Sequence, residues 1–185
     1  SNELTYPYFQ GTFNVVSTIN QHYSEIVDGY RYNDTDYDAV HQEALEFNEN
    51  ADEGIPYYDD LETEVTLFDI NGAVAIKETY TSWLGGAHPY HEVKGINFDV
   101  ASGQILTYED ILQGTNEQID AVLRKYFIEA VPWHQGANDG TMSMAEILEY
   151  TGYTLTEGGL CFYYNVGDAV GRQEFTIPYT TTDSY

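Results

Sequence analysis

The sequence is poor in basic residues. Six lysines and arginines stand against 31 aspartates and glutamates, which gives a formal net charge of −25. A field of this sign repels nucleic acid and anionic lipid, so we predict no nucleic-acid partner. It attracts cationic proteins and divalent metal ions. At this stage the alternative, that the acidity serves only solubility, stays open.

The chain also has only one cysteine, Cys161, so it contains no internal disulfide. This residue lies in the apolar run Leu160–Tyr164, which predicts a buried and inert thiol, because reactive cysteines need an electropositive and partly open setting. No apolar run is long enough to span a bilayer, and the sequence itself contains no signal peptide.

What the sequence does have is apolar and aromatic side chains in regular patterns. Hydrophobic residues make up 42% of its 185 residues, and 18 tyrosines and eight phenylalanines are among them. This length favours one domain or two small parts with a shared core. We divide the chain at residue 106, into a helix plus sheet (1–106) and a C-terminal part (107–185) that shares its core.

A long helix is predicted near the N-terminus. Asn14 is a good N-cap, and apolar residues recur from Val16 to Tyr30 at alternating steps of three and four. The same phase resumes from Tyr37 to Phe47, so the pattern fits one long helix or two helices broken near residues 33–35. Either way, we expect the apolar stripe to lie across a sheet.

The middle of the chain predicts an antiparallel meander. Alternating patterns indicate strands at Leu61–Leu67, Ala73–Trp83 and His91–Val100, followed by a short strand at Gln104–Leu106. Asn71-Gly72 favours a two-residue hairpin turn between the first two. In the third strand the apolar positions change phase at Gly95, which predicts a β-bulge.

A helical insertion is predicted next, then two closing strands. Thr107 and Asp110 bracket a short helix, Thr115 and Gln118 form the capping box of a longer one, and Ser143 and Glu146 open another. The closing strands are predicted at Leu160–Asn165 and Glu174–Tyr179. The fold class is therefore α+β: a meander sheet carrying a long N-terminal helix, a helical insertion and two closing strands.

The candidate binding site is the connection between the second and third strands. Two glycines permit unusual backbone angles there, and a proline fixes its own φ and pushes the preceding histidine toward extended geometry. The aromatic residues could stack on sugar rings or anchor a protein partner. The predicted binding residues are Trp83, Gly85, Gly86, His88, Pro89 and Tyr90.

The sequence contains no complete catalytic or metal-binding motif. Asp34, Asp36 and Asp38 begin like a calcium loop, but Ala39 and Leu45 occupy the positions that need glycine and glutamate. His88 and His91 lack a third ligand nearby, so hydrogen-bonding roles are favoured over zinc. There is no Gly-x-Ser-x-Gly nucleophile motif and no phosphate loop. We predict no cofactor, no metal and no catalytic residue.

Seven segments, spread over roughly residues 60–179, form an ordered set of motifs. They are Tyr80–Pro89 with Gly85-Gly86-Ala87-His88-Pro89, Phe98–Val100, Gly103–Leu106, Asp110–Leu112, Tyr153–Thr156, Gly159–Tyr164 and Phe175–Tyr179. In this order they resemble a bacterial cell-envelope family, the RsiV-like domain of unknown function (DUF3298), together with the PdaC-like region (DUF4163) that usually precedes it. The segment at residues 165–171 is shorter and richer in glycine than in typical members.

This resemblance implies an extracytoplasmic α+β module, either secreted or attached by an anchor outside this sequence. It implies no catalytic residues for the module itself. Our first hypothesis is a non-enzymatic binding or sensing module whose partner is a cationic protein such as a lysozyme, or a cell-wall glycan. The alternatives are a wall-acting hydrolase or deacetylase-associated domain that uses His88, and a purely structural module that positions a fused domain.

Overall fold

The structure is a computed structural model and describes residues 3–32, 42, 45, 46, 49, 58–68, 72–83, 89–165 and 172–179. The helices are α1 (Asn14–Tyr32), α2 (Tyr108–Leu112), α3 (Asn116–Ala130), α4 (Gln135–Asn138) and α5 (Met144–Ile147). The strands are β1 (Tyr58–Phe68), β2 (Ala73–Trp83), β3 (Tyr90–Asp99), β4 (Gly152–Thr156), β5 (Gly159–Asn165) and β6 (Arg172–Pro178). The predicted α+β class is confirmed.

The strands form two antiparallel three-stranded sheets, each in the order of the chain. Sheet A contains β1, β2 and β3, and it is the predicted meander. Sheet B contains β4, β5 and β6, so both predicted closing strands are present, with β4 beside them. Strand β4 was not predicted from the sequence. This strand has only five residues, which is too few for a clear alternation of apolar and polar side chains.

Helix α1 covers one face of sheet A. Its residues Val15, Ile19 and Tyr23 are buried against Ile76 and Phe98 of the sheet. The predicted stripe and its start at Asn14 are therefore confirmed. The predicted break near residues 33–35 lies outside the described residues, as do Asp34, Asp36 and Asp38. No helix in the described ranges is long and apolar enough to cross a membrane.

The predicted β-bulge at Gly95 is wrong, because the β2–β3 register runs unbroken through the pair Lys77↔Gly95. Both faces of β3 are covered: Val93 packs against Cys161 and Tyr163, whereas Phe98 packs against α1. A strand buried on two faces loses the alternation of apolar and polar residues, and this loss resembles a change of phase.

Gly95 instead allows the two sheets to touch. A Cβ added at this position would lie 2.1 Å from the carbonyl oxygen of Tyr153 in β4. A Cβ added at Gly152 would lie 2.5 Å from the carbonyl oxygen of Val93. The absence of side chains at both positions lets β3 and β4 approach with their backbones almost in contact.

Helix α3 packs on one face of sheet B, and its apolar cluster also includes Ala73 and Ala75 of sheet A. The aromatic ring of Phe127 meets Phe175 edge-on at 5.8 Å, and Phe162 stacks on Phe175 at 4.9 Å. The predicted capping box of Thr115 and Gln118 is present, as are the boxes that begin α2 and α5. The short strand predicted at Gln104–Leu106 forms only a single bridge, between Phe98 and Ile105.

Candidate functional site

The predicted binding residues lie at one end of sheet A. Trp83 ends β2, Pro89 precedes β3, and Tyr90 begins β3 opposite Ser82. Trp83 is half-buried, whereas Tyr90 is 52% exposed. Gly85, Gly86 and His88 lie outside the described residues. The structure thus groups Trp83, Pro89 and Tyr90, and the binding role of the connection stays a prediction.

His91 has a structural partner across the sheet. Its Nδ1 atom lies 3.3 Å from the hydroxyl oxygen of Thr81, directly opposite in the register. Within the part of the chain that the structure describes, no group of three or more histidine, cysteine, aspartate or glutamate residues could hold a metal ion.

A buried glutamate pairs with a partly exposed histidine and joins α1 to sheet A. Glu78 of β2 is 2% exposed, and its Oε1 lies 2.9 Å from Nε2 of His22. The Tyr80 hydroxyl donates to the other carboxylate oxygen at 3.1 Å. Tyr23 is buried beside them, and burial together with the negative charge of Glu78 raises the pKa of its hydroxyl. These contacts satisfy a carboxylate that would otherwise be costly to bury.

This cluster was not predicted from the sequence, although a signal exists. Glu78 alternates with Val74, Ile76 and Tyr80 along β2, so it lies on the same face as these apolar residues. An acid on an apolar face indicates a buried carboxylate with partners. His22 could not be identified as the partner, because it lies 56 residues from Glu78 and the two residues form no local sequence pattern.

An acidic cleft of about 630 Å³ lies beside the start of α3. Carboxylates line it, with Glu109, Glu117 and Asp120 above an apolar floor that includes Ile119 and Leu123. The backbone amide of Glu117 itself and the Thr115 hydroxyl lower the pKa of the Glu117 carboxyl. This carboxylate therefore stays charged at neutral pH, and the cleft is suited to cations.

Among the described residues, Arg124 is the one cation that lines this cleft, and it is already bound within the chain. Arg124 contacts Asp120 at 3.1 Å and donates to the carbonyl oxygens of Ala137 at 2.7 Å and Met142 at 2.8 Å. Asp120 in turn accepts a hydrogen bond from the backbone N–H of Met144 at 2.7 Å. The Arg124–Asp120 pair thus fixes the loop before α5 against α3.

A smaller inter-sheet cavity of about 220 Å³ lies between sheets A and B. Glu64 and Glu174 line it together with Lys77, whose Nζ lies 5.0 Å from the ring centroid of Tyr163. Cys161 also lines it, and burial raises the pKa of this thiol. The predicted inert character of Cys161 agrees with that environment.

The described basic side chains all have partners within the chain. Lys94 contacts Glu92 at 3.2 Å, and Arg172 contacts Glu174 at 2.8 Å. Lys125 lies over the ring of Tyr126 at 5.1 Å, as Lys77 does over Tyr163. With Arg124 bound to Asp120, the described cations are engaged within the chain, and most of the acidic side chains that the structure describes are exposed.

The fold resembles two solved structures of DUF3298 proteins. One, from Bacteroides fragilis, matches with a TM-score of 0.55 and 21% identity over 91% of this chain and 71% of that chain. The other, from Pseudomonas aeruginosa PAO1, has a TM-score of 0.49 and 20% identity over 74% of this chain and 64% of that chain. No protein-family model matches the chain. No curated protein matches it either. Because the identity to the Bacteroides fragilis protein is only 21%, this similarity shows a shared fold and no more.

Proposed function

We propose that this protein is a non-enzymatic binding module of a bacterial cell envelope and that its partner is a cationic protein. The observation that carries the proposal is the distribution of charge. The net charge is −25, and the described basic side chains are paired within the chain. Such a surface attracts positively charged proteins at long range and raises their rate of association.

The envelope location and the family rest on resemblance. The ordered segments between roughly residues 60 and 179 are similar to the RsiV-like domain, and the preceding helix is compatible with a PdaC-like region. The fold similarity to the Bacteroides fragilis protein supports the DUF3298 part of this proposal, and the PdaC-like region and the envelope location rest on the sequence resemblance alone. We propose that the chain works outside the cytoplasm, either secreted or attached through an anchor.

Lysozyme is a suitable cationic probe for the experiment. Calorimetry at about 0.01 M and about 0.15 M salt changes the screening length from about 30 Å to about 8 Å. We expect binding at the lower salt concentration and a marked loss of affinity at the higher one. An acidic protein of similar size serves as the control and should not bind. Lysozyme binding that is absent, or that does not respond to salt, would contradict the proposal.

A wall glycan is the second candidate partner, because large aromatic residues are exposed. Trp133 is 51% exposed and Tyr90 is 52% exposed, and such rings stack on sugars. Muropeptides should then quench tryptophan fluorescence. Quenching that disappears in Trp133→Ala but remains in Tyr150→Ala, which removes another exposed ring, would assign the effect to Trp133.

The enzymatic alternative depends on His88. Hydrolysis of peptidoglycan fragments that disappears in His88→Ala and persists in His91→Ala would replace binding with catalysis. The His22–Glu78 pair is a poor candidate for that chemistry, because Glu78 is only 2% exposed and is held by both His22 and Tyr80. A substrate would have to displace those contacts to reach its carboxylate.

A further inference from the structure

The outer edge of β1 is only partly covered. β1 lies at the edge of sheet A, and the segment before α1 pairs with its first half. The Thr5 N–H donates to the Leu61 carbonyl at 2.8 Å, and the Leu61 N–H donates to the Glu3 carbonyl at 2.9 Å. The Thr63 hydroxyl donates to the Thr5 carbonyl at 3.0 Å, where this cover ends.

Among the described residues, none pairs its backbone with the outer side of the second half of this edge. Alternate residues of a strand direct their N–H and C=O groups to the same side, so Val65 and Leu67 share the outward orientation of Leu61. No backbone hydrogen bond from a described residue reaches that side of Val65 or Leu67. We call the stretch from Thr63 to Leu67 the open β1 edge.

The side chains along this edge are apolar on one face. Val65 is 36% exposed and Leu67 is 63% exposed, although both lie on the face of sheet A that α1 covers elsewhere. The helix packs over β2 and β3, against Val74, Ile76 and Phe98, and leaves this half of β1 uncovered. An added strand with apolar side chains on that face would bury Val65 and Leu67.

The opposite face of the open β1 edge carries an acid, Glu64, and a second acid, Glu62, lies on the same face just before the edge begins. Both are exposed. Glu64 lines the inter-sheet cavity, where Glu174 from sheet B is a second acid and Lys77 is held over Tyr163. A basic side chain on this face of an added strand would meet Glu62 and Glu64 and would extend toward Glu174.

We propose that the open β1 edge accepts an extended segment of the partner as an additional strand of sheet A, in which apolar residues alternate with lysine or arginine. This inference rests on the proposed binding of a cationic protein and names where and how that partner is held. Backbone hydrogen bonds would give affinity, and the two different faces would give specificity.

The negative charge favours a basic partner segment, rather than β1 of a second copy of the chain, as the added strand. Two copies would each bring a net charge of −25, and an antiparallel pair of β1 edges would place Glu62 and Glu64 near their counterparts. Charged residues on an edge strand normally discourage self-association. The same acids favour a basic segment.

The other outer edge in the described sheets is better protected. β6 carries Pro178 near its end, and its Arg172–Glu174 pair places charges at its start. Proline and charged residues are the usual means of blocking an edge strand. The open β1 edge has no proline between Thr63 and Leu67.

The test uses a synthetic peptide that alternates lysine with valine, and measures its binding by calorimetry. We expect it to bind the wild-type protein and to slow amide hydrogen exchange at Val65 and Leu67. Val65→Pro removes an outward N–H at a position where an edge strand tolerates proline. It should weaken peptide binding about tenfold or more, since about 1.4 kcal/mol corresponds to tenfold.

Two controls separate pairing from charge. Glu62→Gln with Glu64→Gln should weaken binding, whereas the charge-matched change Glu149→Gln with Glu157→Gln, at exposed positions elsewhere, should weaken it much less. The second control uses two peptides, each methylated on the backbone nitrogens of one alternating set of residues, so that both keep their charge. Methylation of the N–H groups that point toward β1 should abolish binding, whereas methylation of the N–H groups that point away from it should preserve binding. This comparison needs no variant of the protein and applies even if Val65→Pro does not fold.

The outcomes distinguish this inference from the proposed function. Suppose that lysozyme binds in a salt-dependent way but the peptide does not bind, or both methylated peptides bind equally. The inference that the open β1 edge accepts a strand would then be wrong, and the proposed function would still hold. Unchanged peptide affinity in a folded Val65→Pro protein would also overturn that inference. The proposed function itself fails if lysozyme shows no salt-dependent binding.

Discussion

The side chain of Asn97 in β3 accepts a hydrogen bond from the backbone N–H of Leu155 in β4 at 2.7 Å. Its amide nitrogen donates to the carbonyl oxygen of Tyr153 at 3.1 Å. Asn97 is fully buried. One side chain therefore satisfies the free edge of β4 in the way that a neighbouring strand would. Sheets A and B are joined at this point without sharing a backbone ladder.

Asn97→Ala should be strongly destabilising. It leaves the buried Leu155 N–H and the Tyr153 carbonyl without their partner, and each such group costs about 1–3 kcal/mol. We expect a loss of about 2–4 kcal/mol in the free energy of unfolding, measured in urea.

Asn165→Ala is the matched control for this change. Asn165 bridges sheet B to Val93 in the same manner, but its hydrogen bonds are longer, at 3.3 and 3.4 Å, and only partly buried. Its loss should be clearly smaller. Equal losses in the two variants would show that Asn97 has no special part in joining the sheets.

Gly95→Ala should destabilise the protein because the added Cβ meets backbone atoms. The nearest is the Tyr153 carbonyl oxygen at 2.1 Å, and a β-strand backbone cannot move aside as a flexible side chain can. We expect a loss of about 3 kcal/mol or more, at the upper end for overpacking. Gly158→Ala, where the nearest atom is 3.9 Å away, is the control and should have a small effect. Wild-type stability in Gly95→Ala would contradict the close approach of β3 and β4.

Glu78→Ala should loosen α1 from sheet A. The substitution leaves His22 and the Tyr80 hydroxyl without their shared partner and removes buried volume. We expect a loss of about 2–4 kcal/mol, measured by denaturant unfolding. Glu78→Gln retains hydrogen-bonding atoms of the same shape and should lose less. If Glu78→Gln lost as much stability as Glu78→Ala, the hydrogen-bonding atoms and the shape that glutamine retains would contribute nothing.

Acid should weaken the cap of α2. The backbone N–H and the hydroxyl of Thr107 both donate to Asp110 at 2.9 Å, and these bonds lower the pKa of its carboxyl. The charged form is favoured in the folded state, so this stability is present above the unfolded-state pKa of about 3.9. It is lost as the pH falls through the lower folded-state pKa.

Thermal unfolding at about pH 6 and about pH 3 would measure this effect. Many other carboxylates also titrate in that range, so the informative quantity is the difference between the wild type and Asp110→Asn. The wild type should lose more stability than the variant between the two pH values. A variant that is as sensitive to acid as the wild type would show that the cap contributes nothing.

The sequence by itself determined the elements that depend on neighbouring residues. Helix α1 begins at Asn14 as predicted, and the Thr115–Gln118 capping box starts α3. The meander followed from alternating strands joined by short connections. These signals are local, because a cap or a hairpin turn is decided by side chains within a few positions of one another.

Only the tertiary structure decided the rest. Glu78 and His22 are 56 positions apart, and Asn97 and Leu155 are 58 apart, so neither pair leaves a local pattern. Gly95 suggested a bulge because one strand cannot reveal that it is covered on both faces. Val65 has the alternation of a buried position, but α1 packs over β2 and β3 and leaves it at the surface. Which surfaces are covered depends on how whole elements pack, and that packing is a property of the assembled chain.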